Sequence, residues 1–201
     1  MKLYHSQFTR SGRARWILEE AGAPYEIVRI TFAKGEHKTP EYLAIHPHGA
    51  VPALVDGDLK LTESSAIVMH IADKFPERKL APALGTDERA QYYKWMVYVP
   101  ATIDPALEAI TMHTRILPEP NRVAAIADEG KRKWGMIAKV LEEAIGNKKF
   151  IVGDSFTAAD VVLGSALGWV NFLGLLGEHP TLETYHKGLI SRPAFQRAYA
   201  D

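Results

Sequence analysis

His46-Pro47-His48-Gly49-Ala50-Val51-Pro52-Ala53-Leu54, followed by Leu61-Thr62-Glu63-Ser64-Ser65-Ala66-Ile67, is the stretch on which the reading of this chain turns. A glycine-containing loop reaches Val-Pro and runs into a strand, Ala53-Leu54-Val55. A polar turn, Asp56-Gly57-Asp58, and a second short strand, Leu59-Lys60-Leu61, come next, and Glu63-Ser64 then opens a helix. Proline before a strand has no N–H and can adopt cis, which leaves the backbone of Val51 open to a partner; Val51–Pro52 is expected to be cis. A serine hydroxyl and the first N–H groups of a helix receive a carboxylate, and Glu63 beside them receives an ammonium. Together these groups suit a ligand with an extended backbone, a carboxylate and an ammonium.

Working outward, Leu3-Tyr4 reads as a first strand and Arg13 to Ala21 as a helix, with Ala14, Ile17, Leu18 and Ala21 at helical spacing and Gly22 as its stop. Tyr25 to Ile30 reads as a second strand. Residues 31–50 read as a loop with a short helix near Pro40-Glu41-Tyr42-Leu43. Ser64 to Phe75 reads as another helix. The order β-α-β-α-β-β-α is the thioredoxin-like arrangement. Beyond Thr86 the pattern is helical throughout: one apolar stripe holds Tyr92, Trp95, Met96, Val99 and Ile103, bent at Pro100 and Pro105, and another holds Trp134, Ile137, Leu141 and Ala144. Val161 to Leu176 is apolar on nearly every side and is expected to be a central buried helix. Thr157-Ala158-Ala159-Asp160 before it is a capping box, a folding device. The expected division is a thioredoxin-like domain at 1–76, a linker at 77–85 and an all-helical domain at 86–201.

The chain has 201 residues, 47% apolar, with no net charge and no cysteine. Absent cysteine removes disulfides, thiolate catalysis by the protein and cysteine metal ligands at once. No basic stripe points to nucleic acid or to an anionic membrane surface. The eight histidines show no His-Glu-x-x-His spacing and the glycines form no phosphate loop, so no metal site is expected. No signal peptide or membrane span is read, and the expected compartment is the cytoplasm.

Leu18-Glu19-Glu20-Ala21-Gly22, Tyr25-Glu26-Ile27-Val28, Gly35-Glu36-His37-Lys38-Thr39-Pro40-Glu41 and Val51-Pro52-Ala53-Leu54-Val55-Asp56-Gly57-Asp58 together resemble the cytosolic glutathione transferase family, the N-terminal part being most similar to its phi class. The resemblance implies glutathione as co-substrate, a homodimer, and a small hydrophobic electrophile as second substrate. Glutathione supplies the extended backbone, carboxylate and ammonium asked for above. By the resemblance, Val51 and Pro52 meet the cysteinyl unit and Glu63 and Ser64 the γ-glutamyl end. His37 and Lys38 hold the glycine carboxylate, a role for which Lys34 competes by its likeness to a beta-class lysine. Ala50 stands where phi has glutamine, and His48 where phi has the phenylalanine that docks into the partner subunit.

The implied chemistry is stabilisation of the glutathione thiolate, followed by its addition to the electrophile or by peroxide reduction. The family places its catalytic side chain in the loop Gln7-Phe8-Thr9-Arg10-Ser11-Gly12-Arg13. Counted from Lys2-Leu3-Tyr4, the phi-class serine falls on Thr9; counted back from Arg13, the loop is one residue short. The beta-class cysteine falls on Arg10. Thr9 and Ser11 are therefore both candidate catalytic residues, and stabilisation by backbone N–H groups or Arg10 alone stays open. The second substrate is expected between the two modules, against Tyr92, Trp95, Tyr98 and residues from Ile103 to Met112. A non-catalytic binding or assembly module on the same fold is the alternative.

Overall fold

A computed structural model of the chain describes residues 1–200. Its N-terminal part follows the expected order: β1 (Lys2–His5), α1 (Ser11–Ala21), β2 (Glu26–Arg29), two 3₁₀ turns (Phe32–Lys34 and Glu36–Lys38), α2 (Pro40–Leu43), β3 (Ala53–Asp56), β4 (Leu59–Leu61) and α3 (Ser64–Lys74). The sheet order is β2-β1-β3-β4, with β1 parallel to β2 and antiparallel to β3. α1 begins two residues before the expected Arg13, because Arg10 already has helical backbone angles and serves as its N-cap. It ends where expected: Gly22 takes the left-handed conformation (φ 63°), and the Gly22 and Ala23 N–H groups close on the Glu19 and Leu18 carbonyls.

α1 and α3 pack against each other and against the sheet. Ile67, Val68 and Ile71 of α3 are wholly buried, which corresponds to roughly 4.5–9 kcal/mol of transfer free energy. That exceeds by several-fold the roughly 0.3–1 kcal/mol that a charge at a helix terminus contributes. The apolar face therefore fixes the seat of α3, and its N-terminus is left to be shaped for another purpose.

The second part holds α4 (Asp87–Tyr98), α5 (Asp104–Thr111), α6 (Ala124–Ile145), α7 (Ala158–Phe172), α8 (Pro180–Ile190) and α9 (Pro193–Ala198). A π-helical turn, Val99–Ile103, joins α4 to α5 at Pro100, where proline removes one N–H donor from the ladder. α7 is the expected buried helix, although it runs from Ala158 and stops at Phe172, four residues before Leu176. Its capping box is formed, and the wholly buried Asp160 carboxylate accepts from Thr157 N–H (2.8 Å), Ile151 N–H (2.9 Å), Thr157 Oγ1 (3.2 Å) and Tyr185 OH (2.6 Å). Burial pushes this carboxyl up while those four donors pull it down, and burial prevails.

The chain divides differently from the expected boundaries. One compact unit comprises Met1–Pro82 together with the segment from Ser191 onward, and the other comprises Ala83–Ile190. Expected boundaries at 76 and 86 become a single one after Pro82. The terminal segment leaves the helical unit because α9 is anchored on α1. Arg192 makes a two-pronged ion pair with the half-buried Glu20 (2.6 and 2.8 Å), Arg197 pairs with Glu19 (2.7 Å), and Phe195 meets Trp16 edge-on. No described helix is long and apolar enough to cross a membrane.

Candidate functional site

Strand register gathers the candidate residues at one end of the sheet. Parallel pairing sets His5 opposite Arg29, so the loops leaving β1 and β2 emerge together. Antiparallel pairing sets Tyr4 opposite Ala53, which brings the entry to β3, Val51-Pro52, to that same end. Leu54 faces Leu61, so β4 also finishes there and α3 starts there, at Glu63-Ser64. Thr9, Ser11, Lys34, His37, Lys38, Val51, Pro52, Glu63 and Ser64 thus all lie on connections at one sheet end. The Val51–Pro52 bond is cis, as expected from the sequence.

The start of α3 is built unusually. Glu63 is its N-cap, with φ 65° and ψ 115°, a conformation that L side chains rarely adopt. Its side chain is exposed, Ser64 at the first helical position is buried, and the Oγ of Ser65 is buried among the described residues without a hydrogen-bond partner. Strained backbone of this kind persists where the surroundings enforce it, and it concentrates at ligand sites.

On the β2 side, Lys34 and Lys38 are exposed and His37 is half-buried, its ring 4.7 Å from that of Phe32. Glu36 between them accepts the Thr31 N–H at 2.7 Å, which, with a smaller contribution from the Lys34 charge, holds its carboxyl below the usual range. The loop before β3 closes onto this segment at Gly49 (φ 61°). A Cβ there would lie 2.5 Å from the His37 carbonyl oxygen, so only glycine lets the two loops touch. Tyr42 ties down the same loop by donating to the Ala50 carbonyl (2.5 Å), and burial pushes its phenol up to about 12. His46 is buried; that burial, reinforced by His48, lowers its pKa, while Glu63 acts in the opposite direction.

The loop after β1 separates the two hydroxyl candidates. Ser11 is wholly buried. Its Oγ lies 2.8 Å from His5 Nδ1, 2.7 Å from Thr9 Oγ1 and 2.9 Å from the Ser6 carbonyl, and it accepts the Ser6 N–H at 3.2 Å. The Ser11 hydroxyl, expected as one of two catalytic candidates, is thus enclosed by four protein groups, while Thr9 keeps exposed surface. Thr9 is half-buried, donates to the Ser6 carbonyl at 2.7 Å and accepts the Ser11 N–H at 3.2 Å. Phe8 before it holds φ 57° with its ring fully exposed. Tyr4 packs its ring against Tyr42 (5.3 Å). His5 was not singled out from the sequence, although alternation with the buried Leu3 places it on the inward face of β1. In the helical unit Tyr92, Trp95 and Ile103 are buried and Tyr98 is half-buried. The described residues contain no cluster of three or more potential metal ligands.

Two family models match the chain: "Glutathione S-transferase, N-terminal domain" over residues 1–73 and "Glutathione S-transferase, C-terminal domain" over residues 90–193. A probable glutathione S-transferase of Oryza sativa subsp. japonica is 35% identical, the match covering 98% of this chain and 94% of the relative. Glutathione S-transferase 1 of Zea mays is 34% identical, over 100% and 96%. Among solved structures, glutathione S-transferase-I bound with lactoylglutathione superposes with a TM-score of 0.85 at 33% identity, over 99% of this chain and 98% of that one. A glutathione transferase from Phanerochaete chrysosporium with oxidized glutathione superposes with a TM-score of 0.90 at 28% identity, over 99% and 93%. The chain belongs to the glutathione S-transferase family, with plant phi-class enzymes among its relatives.

Proposed function

We propose that this enzyme binds glutathione at the sheet end described above, stabilises its thiolate with the Thr9 hydroxyl and transfers it to a small hydrophobic electrophile, with peroxide reduction as a second outlet for the same thiolate. The observation that carries this is the start of α3. Glu63 is held at a strained positive φ directly before the buried Ser64, beside the cis Val51–Pro52. In this reading Glu63 takes the ammonium, Ser64 and the α3 N–H groups take the γ-glutamyl carboxylate, and Val51 meets the cysteinyl backbone. Lys34, His37 and Lys38 surround the glycine carboxylate.

The magnitudes close. A free thiol has a pKa near 8.5, and lowering it by about two units needs about 2.7 kcal/mol of preference for the thiolate. A hydroxyl donating to a charged acceptor supplies about 1.5–3 kcal/mol, and the N-terminus of α1 adds roughly 0.3–1 kcal/mol. One threonine is sufficient without a general base. Binding glutathione requires Thr9 to turn its proton from the Ser6 carbonyl to the sulfur.

Calorimetry on the purified protein tests the site: one glutathione per subunit is expected, with affinity lost in Glu63→Ala and in Ser64→Ala. Unchanged affinity in both variants removes the assignment. Family membership also supports a homodimer, in which the exposed His48 replaces the phi-class docking phenylalanine. A monomer mass by light scattering at micromolar concentration would contradict that part.

A further inference from the structure

The loop after β1 contains a continuous chain of three polar side chains, from the buried His5 through the buried Ser11 to the half-buried Thr9, with links of 2.8 and 2.7 Å. Two hydroxyl protons run along it, and their direction decides whether Thr9 has a proton to offer a ligand. A serine oxygen accepts two hydrogen bonds and donates one. The Ser6 N–H fills one acceptor site on Ser11 Oγ. If His5 Nδ1 carries a proton, it fills the other, so Thr9 cannot donate to Ser11, whose own proton goes to Thr9 or to the Ser6 carbonyl at 2.9 Å. Thr9 Oγ1 accepts the Ser11 N–H, and with Ser11 Oγ closed to it in either case its own proton is left for the Ser6 carbonyl or for a ligand. If His5 Nδ1 is bare, it draws the Ser11 proton inward, Ser11 Oγ regains an acceptor site, and Thr9 can donate to it instead of to a ligand.

We propose that His5 is a positioning residue for the thiolate: its ring donates from Nδ1 to Ser11 Oγ, which closes that oxygen to Thr9 and leaves the Thr9 proton for the ligand. The inference rests on the reading of Thr9 as the thiolate hydroxyl. Donors aligned head to tail polarise one another, by about 10–30% per bond. Applied to a charged hydrogen bond, this predicts a roughly two- to four-fold gain in the thiolate-to-thiol ratio over a chain in which the alignment is lost.

Two measurements decide it. Nitrogen-15 NMR of the full-length protein with glutathione bound reports the His5 tautomer, the signal being assigned by its loss in a His5 variant. A protonated Nδ1 is expected, and a ring protonated at Nε2 alone overturns the proposal even if no His5 variant folds. The second is the thiolate absorbance titration of bound glutathione in His5→Asn, His5→Phe and Thr9→Val. Asparagine can place an amide N–H where Nδ1 stands and is expected to keep the wild-type titration. Phenylalanine is expected to lower the thiolate-to-thiol ratio by about two- to four-fold with glutathione affinity unchanged. If Thr9→Val shifts the titration and His5→Phe does not, the His5 proposal falls and the Thr9 reading stands. Equal damage from asparagine and phenylalanine also overturns the donor role, since it shows that only ring shape matters. An unshifted Thr9→Val removes the underlying reading itself.

Discussion

Replacing Ser11 by alanine separates a structural hydroxyl from a catalytic one. The Oγ removed is wholly buried and touches four protein groups within 3.2 Å. The half-buried Ser6 N–H loses its acceptor, which costs up to about 1–3 kcal/mol, the figure for a buried unsatisfied donor. Two further links, to His5 and Thr9, are worth about 0.5–1.5 kcal/mol each. Alanine returns a few tenths of a kcal/mol through its helix propensity. The expected loss of stability is therefore about 1.5–5.5 kcal/mol, a large share of the roughly 5–15 kcal/mol typical of a folded protein.

The effect on chemistry runs the other way in size. Ser11→Ala takes from Thr9 its 2.7 Å contact with Ser11 Oγ but leaves the Thr9 proton in place, so the thiolate-to-thiol ratio of bound glutathione falls by only about two- to four-fold. Thr9→Val removes the bond to sulfur itself, with an expected fall of about 10- to 150-fold. Urea unfolding at constant slope gives the first quantity, and the pH dependence of thiolate absorbance gives the second. If Ser11→Ala changes stability by less than about 0.5 kcal/mol and shifts the titration as far as Thr9→Val, Ser11 is the thiolate hydroxyl and the burial argument is wrong.

Asp160→Asn tests the capping box: one acceptor oxygen becomes a donor facing a buried N–H of either Thr157 or Ile151, and relief from burying the carboxylate offsets only part of that, so a loss of about 2–4 kcal/mol is expected by denaturant unfolding. A loss below about 0.5 kcal/mol would show that removing the buried carboxylate compensates the unpaired N–H in full. Stability should also be bounded on both sides in pH. Burial lowers the His46 and His186 pKa values, so the native state resists their protonation; the stability they contribute is present above the ordinary histidine value of about 6.5 and is lost as pH falls through their folded values. Tyr42 is pushed up to about 12 by burial, so its contribution is present below the ordinary value of about 10 and is lost between there and about 12. Melting temperatures measured across pH should show a plateau between these windows, and a curve still rising from pH 7 to 9 would contradict the assignment.

The fold was legible because its decisive segments obey local rules. The Ala14-Ile17-Leu18-Ala21 spacing, the left-handed Gly22 stop, the hairpin at Gly57 and the Thr157/Asp160 box each specify their own structure within a few residues. What the sequence concealed depends on distant partners. α9 joins the first unit through Arg192–Glu20 and Arg197–Glu19, pairs separated by 172 and 178 positions in the chain. Thr9 and Ser11 are both small hydroxyl residues at a helix start, and no local pattern says which is enclosed. The difference comes from His5, whose ring reaches Ser11 only once β1 and α1 are both in place. Gly49 is similar: its need for a missing Cβ becomes apparent only when the His37 carbonyl lies beneath it.

The candidate site lies where those local rules are broken. Phe8, Glu63 and Lys79 are the non-glycine residues with positive φ among the described residues, and the first two flank the proposed glutathione site. Each such residue costs roughly 1–3 kcal/mol, which neither exposed side chain recovers by packing. The helices that follow them supply the compensation: α1 sinks Ala14, Trp16, Ile17 and Leu18, and α3 sinks Ile67, Val68 and Ile71, all without exposed surface. At roughly 1.5–3 kcal/mol per large buried apolar side chain, each helix outweighs the strain at its own entrance. Glycine at 8 or 63 would remove the strain, yet these positions carry a phenylalanine and a glutamate. At 63 the side chain explains the exception, because in the proposed site Glu63 must present a carboxylate to the ligand's ammonium from a backbone turned at that angle.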